Sequence, residues 1–240
     1  MAKTAKKPAP RRAKSAARKG GTGKPAGPRK AAPADAAAAM RAALLDLCGT
    51  QGWRDLSLAE IAEAAGLDMA AAHATYPTKA AILVGLARAV DAAILTSLRD
   101  DPLDGTSKDR LFDLLMRRFD HLQQQRDAYL TLLHELPQTP LEAAAMGCQM
   151  RRSLRLMLET AGISASGLKG HLRLQGLIAI YLAGLRAWAR DESADLAHTM
   201  AEIDKRLGQA AKLSSMMSAG LKRAERMKEE AGKAAKGAAA

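Results

Sequence analysis

Apolar residues recur every three to four positions along most of this chain, and no run alternates with the two-residue period of a strand. The pattern predicts a helical protein. A first helix is expected from Asp35 to Gly49, with Met40, Leu44, Leu45 and Cys48 on one stripe; Gly52 ends it and Trp53 plugs the core beyond. Ser57 with Glu60 three residues later is a capping-box pattern, opening a second helix through Leu58, Ile61, Ala62 and Ala65. Gly66 suits a turn, Asp68 can cap a short third helix to about Thr75, and Pro77 stops it. Thr78 then caps a fourth helix carrying Ile82, Leu83, Leu86, Val90 and Leu98.

After an Asp101–Ser107 loop, Thr106 and Asp109 form a second capping pair before Leu111, Phe112, Leu115, Phe119 and Leu122. A helix over Asp127–Leu136 should end at the Pro137–Pro140 segment. The next, Glu142–Thr160, carries Met146, Met150, Leu154, Met157 and Leu158. Leu168–Ala189 is the most apolar helix and is expected to be buried on several faces. Beyond a turn at Asp191–Ser193, the residues Leu196, Met200, Ile203, Leu207, Met217 and Leu221 mark a long amphipathic helix. No repeat of solenoid period is present.

Charge divides the chain. The whole carries +12, yet residues 1–34 hold eleven basic side chains and no acidic one, so the remainder is nearly neutral at +1. This basic stretch of Lys, Arg, Ala, Pro and Gly has no apolar periodicity and reads as disordered. The expected organisation is a basic tail at 1–34, a first helical domain at 35–98 and a second at 106–213. A C-terminal helical extension with a low-complexity end occupies 214–240.

Several classes drop out. The longest charge-free apolar stretch, Leu174–Leu185, is too short for a membrane helix, which needs roughly 20 residues. No apolar core follows the basic N-terminus, as a secretory signal would require. Cys48 and Cys148 are isolated, which excludes a disulfide framework and a four-cysteine zinc site, so a reduced, cytoplasmic protein is expected. The five histidines, at 73, 121, 134, 171 and 198, lack paired metal-ligand spacing. No nucleophile–base arrangement appears either, so no catalytic residue, metal or cofactor is expected. Gly20–Lys24 superficially matches a phosphate loop but has no strand before it.

Ser57–Tyr76 has the proportions of a helix-turn-helix, with Ile61, Ala62 and Ala65 facing the second helix and Gly66 at the turn. Around it, Gly52-Trp53, Leu58, Ile61-Ala62, Ala65-Gly66-Leu67, Tyr76-Pro77-Thr78-Lys79 and Ile82-Leu83 resemble the N-terminal domain of TetR-type transcriptional regulators. The resemblance covers Ala42–Leu83 and implies an all-α fold: a three-helix helix-turn-helix domain, then a helical ligand-binding and dimerisation domain. It implies a homodimer pairing through its last two helices and a DNA partner, with control by a small apolar ligand. The DNA contacts it implies are Ser57, His73, Thr75, Tyr76 and Lys79.

The third helix departs from the family pattern. Met69-Ala70-Ala71-Ala72-His73-Ala74-Thr75 stands where the family carries cationic and aromatic residues, and alanine offers little beyond contact with a thymine methyl. Residues 35–98 hold four basic against seven acidic side chains, a net charge of −3. Attraction to DNA must then come from the tail, through Lys6, Lys7, Arg11, Arg12, Lys14, Arg18 and Lys19. Proline and glycine in the tail favour nucleic acid over a lipid surface as its partner.

A second, shorter resemblance lies at Trp188–Lys212, where Arg190–Leu196 and Ile203–Leu207 are similar to the TetR-like accessory protein of ubiquinone biosynthesis. It implies the alternative of a lipid-binding partner that has kept the fold and lost the DNA contacts. The basic helix from Leu196 onward could then lie on an anionic membrane surface, although its small-to-medium apolar stripe suits dimerisation or packing better. Met116, Phe119, His134, Met146, Met150 and Met157 are the candidates to line a ligand pocket, against a plain-core reading of the methionines.

Overall fold

The computed structural model describes residues 33–216, and among these every regular element is a helix. Four helices come first: α1 Pro33–Gln51, α2 Leu58–Ala64, α3 Met69–Thr75 and α4 Lys79–Ser97. Then follow α5 Ser107–Gln123, α6 Arg126–Glu135, a 3-10 turn at Leu136–Gln138, α7 Pro140–Thr160 and α8 Gly167–Trp188. A ninth helix, α9, covers 197–216. The tail residues at 1–32, and Met217 and Leu221 of the expected last helix, lie outside the described residues.

Local chemistry sets the starts. Ser57 accepts from the Glu60 amide while Glu60 reaches back to Ser57, closing the capping box of α2. Asp68 caps α3 through the Ala71 amide, and Thr78 caps α4 through Ala81. Thr106 and Asp109 form a second reciprocal box on α5. Each such cap contributes about 1 kcal/mol. Gly52 and Gly66, at φ +88° and +67°, make the two turns of the first unit.

Packing gathers these helices around two cores. The first holds Met40, Leu44, Cys48, Trp53, Ile61, Ile82 and Leu83, and α6 adds Ala128 and Leu132 to it. The second holds Val90 and Ile94 of α4 with Leu114, Leu115 and Phe119 of α5, Leu154 and Met157 of α7, and Leu174, Tyr181 and Trp188 of α8. Ile203 and Leu207 of α9 close it. Helix α4 thus feeds both cores. Among the described residues α4 is also the one helix long and apolar enough to cross a membrane, yet Ile82, Leu83, Leu86, Val90 and Ile94 are buried in protein.

Two expectations need correction. Helix α8 is not buried on several faces: Leu168, Leu172, Ala179 and Leu182 form an exposed stripe, because its neighbours cover only the side of Leu174, Leu177 and Tyr181. Met200 of α9 is exposed beside the buried positions Thr199, Ile203 and Leu207.

The two thiols differ sharply. Burial pushes the Cys48 thiol up to about 12, with the nearby Lys79 ammonium opposing that rise, whereas Cys148 is exposed on α7. A disulfide reagent at pH 8 should therefore titrate one thiol in the native protein and two in denaturant. Rapid native reaction of both would contradict the packing of Cys48.

Candidate nucleic-acid interface and the joint behind it

Helices α2 and α3 form the helix-turn-helix, with Ile61, Ala62 and Ala72 buried between them and the first core. Burying Ala72 turns Met69, Ala70, His73 and Ala74 outward, so the exposed edge of α3 carries three small or apolar side chains and one imidazole. Aspartate caps this edge at its N-terminus, and Glu63 is exposed on α2.

Of the five implied DNA contacts, His73 is the one whose side chain makes no hydrogen bond to another described residue. Ser57 and Glu60 bind each other. The Thr75 hydroxyl donates back to the Ala71 carbonyl at 2.8 Å. Tyr76 packs over Gly85 and accepts from Arg41 at 2.8 Å, so it fixes the end of α3 against α1 and α4. A Cβ at Gly85 would meet the Tyr76 hydroxyl at 2.3 Å, which is why this helical position is glycine.

Lys79 turns inward. Its ammonium donates to the carbonyls of Trp53 and Leu56, each at 2.8 Å, and of Arg54 at 3.3 Å. It also lies 4.3 Å from the Trp53 ring centroid. Partial burial lowers its pKa, opposed by Glu142 and other acidic neighbours. Lys79 thus serves the loop after α1, which presents three carbonyls with no helix to satisfy them.

The remaining cations of the unit are engaged as well. Arg41 holds Tyr76, Arg54 donates to Gln138 at 2.9 Å, and Arg88 donates to the buried Gln149. All four basic residues of positions 35–98 therefore donate hydrogen bonds within the protein, with Arg54 and Arg88 themselves exposed, and the seven acids of the unit outnumber them.

Behind this unit lies a joint that no sequence motif announced. The Glu135 carboxylate, at the end of α6, accepts from the backbone amides of Trp53 at 2.7 Å and Arg54 at 3.0 Å. Trp53 is fully buried, and its indole N–H donates to Thr139. The segment Glu135–Thr139 thus grips the loop between α1 and α2 by four hydrogen bonds, counting that from Arg54 to Gln138.

The second core contains a buried polar knot. Arg118, 3% exposed, donates from Nη1 to Asp91 and to Ser153, each at 2.6 Å, and from Nε to the Tyr181 hydroxyl at 3.3 Å. Ser153 also donates to Asp91. One residue from each of α4, α5, α7 and α8 meets here. A signal for it exists in the sequence: Arg118 falls on the apolar stripe of Leu111, Leu115, Phe119 and Leu122, and Asp91 between Val90 and Ile94. Burial also raises the Tyr129 hydroxyl to about 12 nearby, although the Arg118 charge opposes the shift.

The six ligand-pocket candidates are spread over both cores and the surface. Phe119 and Met157 are packed inside the second core, with Met116 and Met150 at its edge. Met146 packs on the first core and His134 is exposed. The physical reason is that α6 and the first turns of α7 lean on the first core, which carries His134 and Met146 away from the other four. Beside the knot, a void of about 10 Å³ between α4, α5 and α7 touches Met157 alone among the six.

No family model and no curated protein matches the sequence. Solved structures do. A TetR transcriptional regulator from Nitrosomonas europaea matches at TM-score 0.58 and 21% identity, over 73% of this chain and 97% of that one. One from a Rhodococcus species gives 0.54 and 14%, over 73% and 95%. A third, from Streptomyces coelicolor, gives 0.51 and 16%, over 78% and 89%. At these identities the likeness establishes the architecture: the chain has the all-α fold of TetR regulators.

Proposed function

We propose that the protein is a homodimeric, DNA-binding transcriptional regulator of the TetR type. In it α3 seats the chain on duplex DNA, and residues 1–34 supply most of the attraction to phosphate. The observation that carries this reading is α3 itself: a helix capped at its start, locked by Tyr76 at its end, and turned outward along Met69, Ala70, His73 and Ala74. Its reading chemistry is narrow. His73 can exchange hydrogen bonds with a base edge, and the alanine methyls suit thymine. The exposed α8 stripe of Leu168, Leu172, Ala179 and Leu182 supports pairing with a second copy. A small apolar ligand would have to open the second core from its Met116 and Met150 edge, shifting the population between DNA-competent and incompetent forms.

The fold's neighbours are regulators, which supports a binding rather than catalytic role. The second reading, a lipid-binding accessory protein that no longer reads DNA, is favoured by one observation: each of the four cations of the helix-turn-helix unit already donates to a group of the protein itself, Lys79 to three backbone carbonyls.

Removing residues 1–34 separates the two. On the regulator reading, the truncated protein still selects one palindromic site over random duplex, more weakly. Its salt slope becomes shallower by roughly 0.9 for each phosphate that the tail no longer neutralises. Complete loss of DNA binding in a truncated protein that remains folded would sink that reading, and isoprenoid lipid co-purifying with the intact chain would favour the other.

A further inference from the structure

Helix α6 carries its terminal charges the wrong way round, and we propose that it is a strut coupling the end of α8 to the loop between α1 and α2. A helix dipole favours an anion in the first turn and a cation in the last. Yet α6 begins with Arg126 and ends with Glu135, and no side chain caps its first turn. Asp127, one residue further in, has the favoured sign but is exposed. The helix itself therefore gives no reason for Arg126 and Glu135. The partners that each reaches do.

At the first end, Arg126 donates from Nη1 to the Trp188 carbonyl at 2.9 Å and from Nη2 to the Ala189 carbonyl at 3.2 Å. These carbonyls close the C-terminal end of α8, where the dipole of that helix favours a cation. The same guanidinium lies 5.0 Å from the Trp188 ring centroid. At the other end, the Glu135 carboxylate takes the amides of Trp53 and Arg54. Gly52 brings the loop so close that a Cβ there would meet Glu135 Oε1 at 3.0 Å.

The two ends match. The chain's two tryptophans are both fully buried, one at each end of α6. Each lies under a cation, and each indole N–H donates to a residue flanking the helix, Trp188 to Gln123 at 2.9 Å and Trp53 to Thr139 at 3.3 Å. Between them run the ten residues of α6, about 15 Å of helix. Ala128 and Leu132 belong to the first core, Leu130 packs on the second, and Tyr129 packs on both. A short helix held in this way moves as a unit. A shift of α8 at Arg126 is carried to the loop at Glu135, because neither end yields without breaking charge-assisted hydrogen bonds. Arg126 and Glu135 are thus positioning residues. In a dimer paired through α8 the strut fixes where each α3 stands relative to the other, and so the half-site spacing, a consequence that rests on the dimeric DNA-binding reading.

Amide exchange of the full-length protein, followed by mass spectrometry, tests the strut, because coupling between two sites is reciprocal. Arg126→Gln should accelerate exchange at 186–191 and also, at the far end, over 52–56, by about fivefold or more. Glu135→Gln should accelerate 52–56 and, in return, 186–191. Amides of α5 at 114–119 should keep their wild-type rates in both variants. Arg126→Lys, which keeps the charge but loses the fork that spans two carbonyls, should fall between wild type and Arg126→Gln. Acceleration confined to the end that carries the substitution overturns the proposal, as does transmission in one direction alone. Uniform acceleration that includes 114–119 overturns it too, since that is general destabilisation. The measurement needs neither DNA nor ligand, so its failure and that of the DNA-binding reading are separate results.

Discussion

Replacing Asp91 by Leu is expected to destabilise the protein by about 3–5 kcal/mol in urea unfolding, because it leaves the Arg118 guanidinium buried without its carboxylate. Arg118 is 3% exposed, and its hydrogen bonds reach Asp91, Ser153 and Tyr181 on three other helices. Ser153 and Tyr181 can share the positive charge but cannot balance it. The pair's own net worth is a separate quantity, since taking both ions out of water costs much of what their attraction returns. The double replacement Asp91→Leu/Arg118→Met should accordingly regain most of the lost stability. A single-variant loss below about 1 kcal/mol would mean that water reaches the guanidinium and that the knot is not closed.

Trp53→Ala should cost a comparable amount, about 3–5 kcal/mol, by opening a cavity in the first core. More follows from its position. The same residue is the meeting point of Lys79, Glu135 and Thr139, so its loss loosens the seat of the loop between α1 and α2 on Glu135–Thr139. Trp53→Phe keeps most of the ring and both backbone bonds but drops the indole donor, and should cost only about 1–2 kcal/mol. Amide exchange over 52–58 should accelerate strongly in the alanine variant and slightly in the phenylalanine one. Unchanged exchange in both would remove Trp53 from the joint.

A pH effect of definite sign accompanies these. Asp191 loses solvation by burial, but hydrogen bonds from Ser193 and Thr199 outweigh that penalty and hold its carboxyl well below the usual carboxylate range. Its folded pKa is thus below its unfolded one. The stabilisation is present above the unfolded value of about 3.9 and disappears as the pH falls toward the folded pKa. Asp191→Asn should therefore lower the thermal midpoint at pH 7 and flatten its decline between about pH 5 and 2. A parallel decline in both proteins would dissociate Asp191 from acid sensitivity.

Much of the fold was legible because its signals are local. Ser57 with Glu60, Asp68, Thr78, and Thr106 with Asp109 each act within one turn of helix, and each caps the helix expected of it. The stripe of Met40, Leu44, Leu45 and Cys48 needed only the helical period to be recognised as core. The candidate site was less legible. Lys79 and Tyr76 stand at positions where the family resemblance implies DNA contacts, yet their partners lie 26 and 35 residues away in sequence at Trp53 and Arg41. Nothing in a helical period says which of two neighbours, phosphate or carbonyl, a lysine will meet.

By itself the sequence determined which segments are helices, where they start, and that the cations cluster in a tail while the helix-turn-helix unit is acidic. Propensity, capping and charge are properties of short stretches, so they survive without a fold. Tertiary structure alone decided that Glu135 grips the loop bearing Trp53 and that Arg118 and Asp91 meet in the core. It also decided that Arg126 reaches the end of α8 from the other end of α6. These pairings join residues far apart in the chain, and only the packing of apolar faces brings such groups within hydrogen-bonding or Coulombic reach.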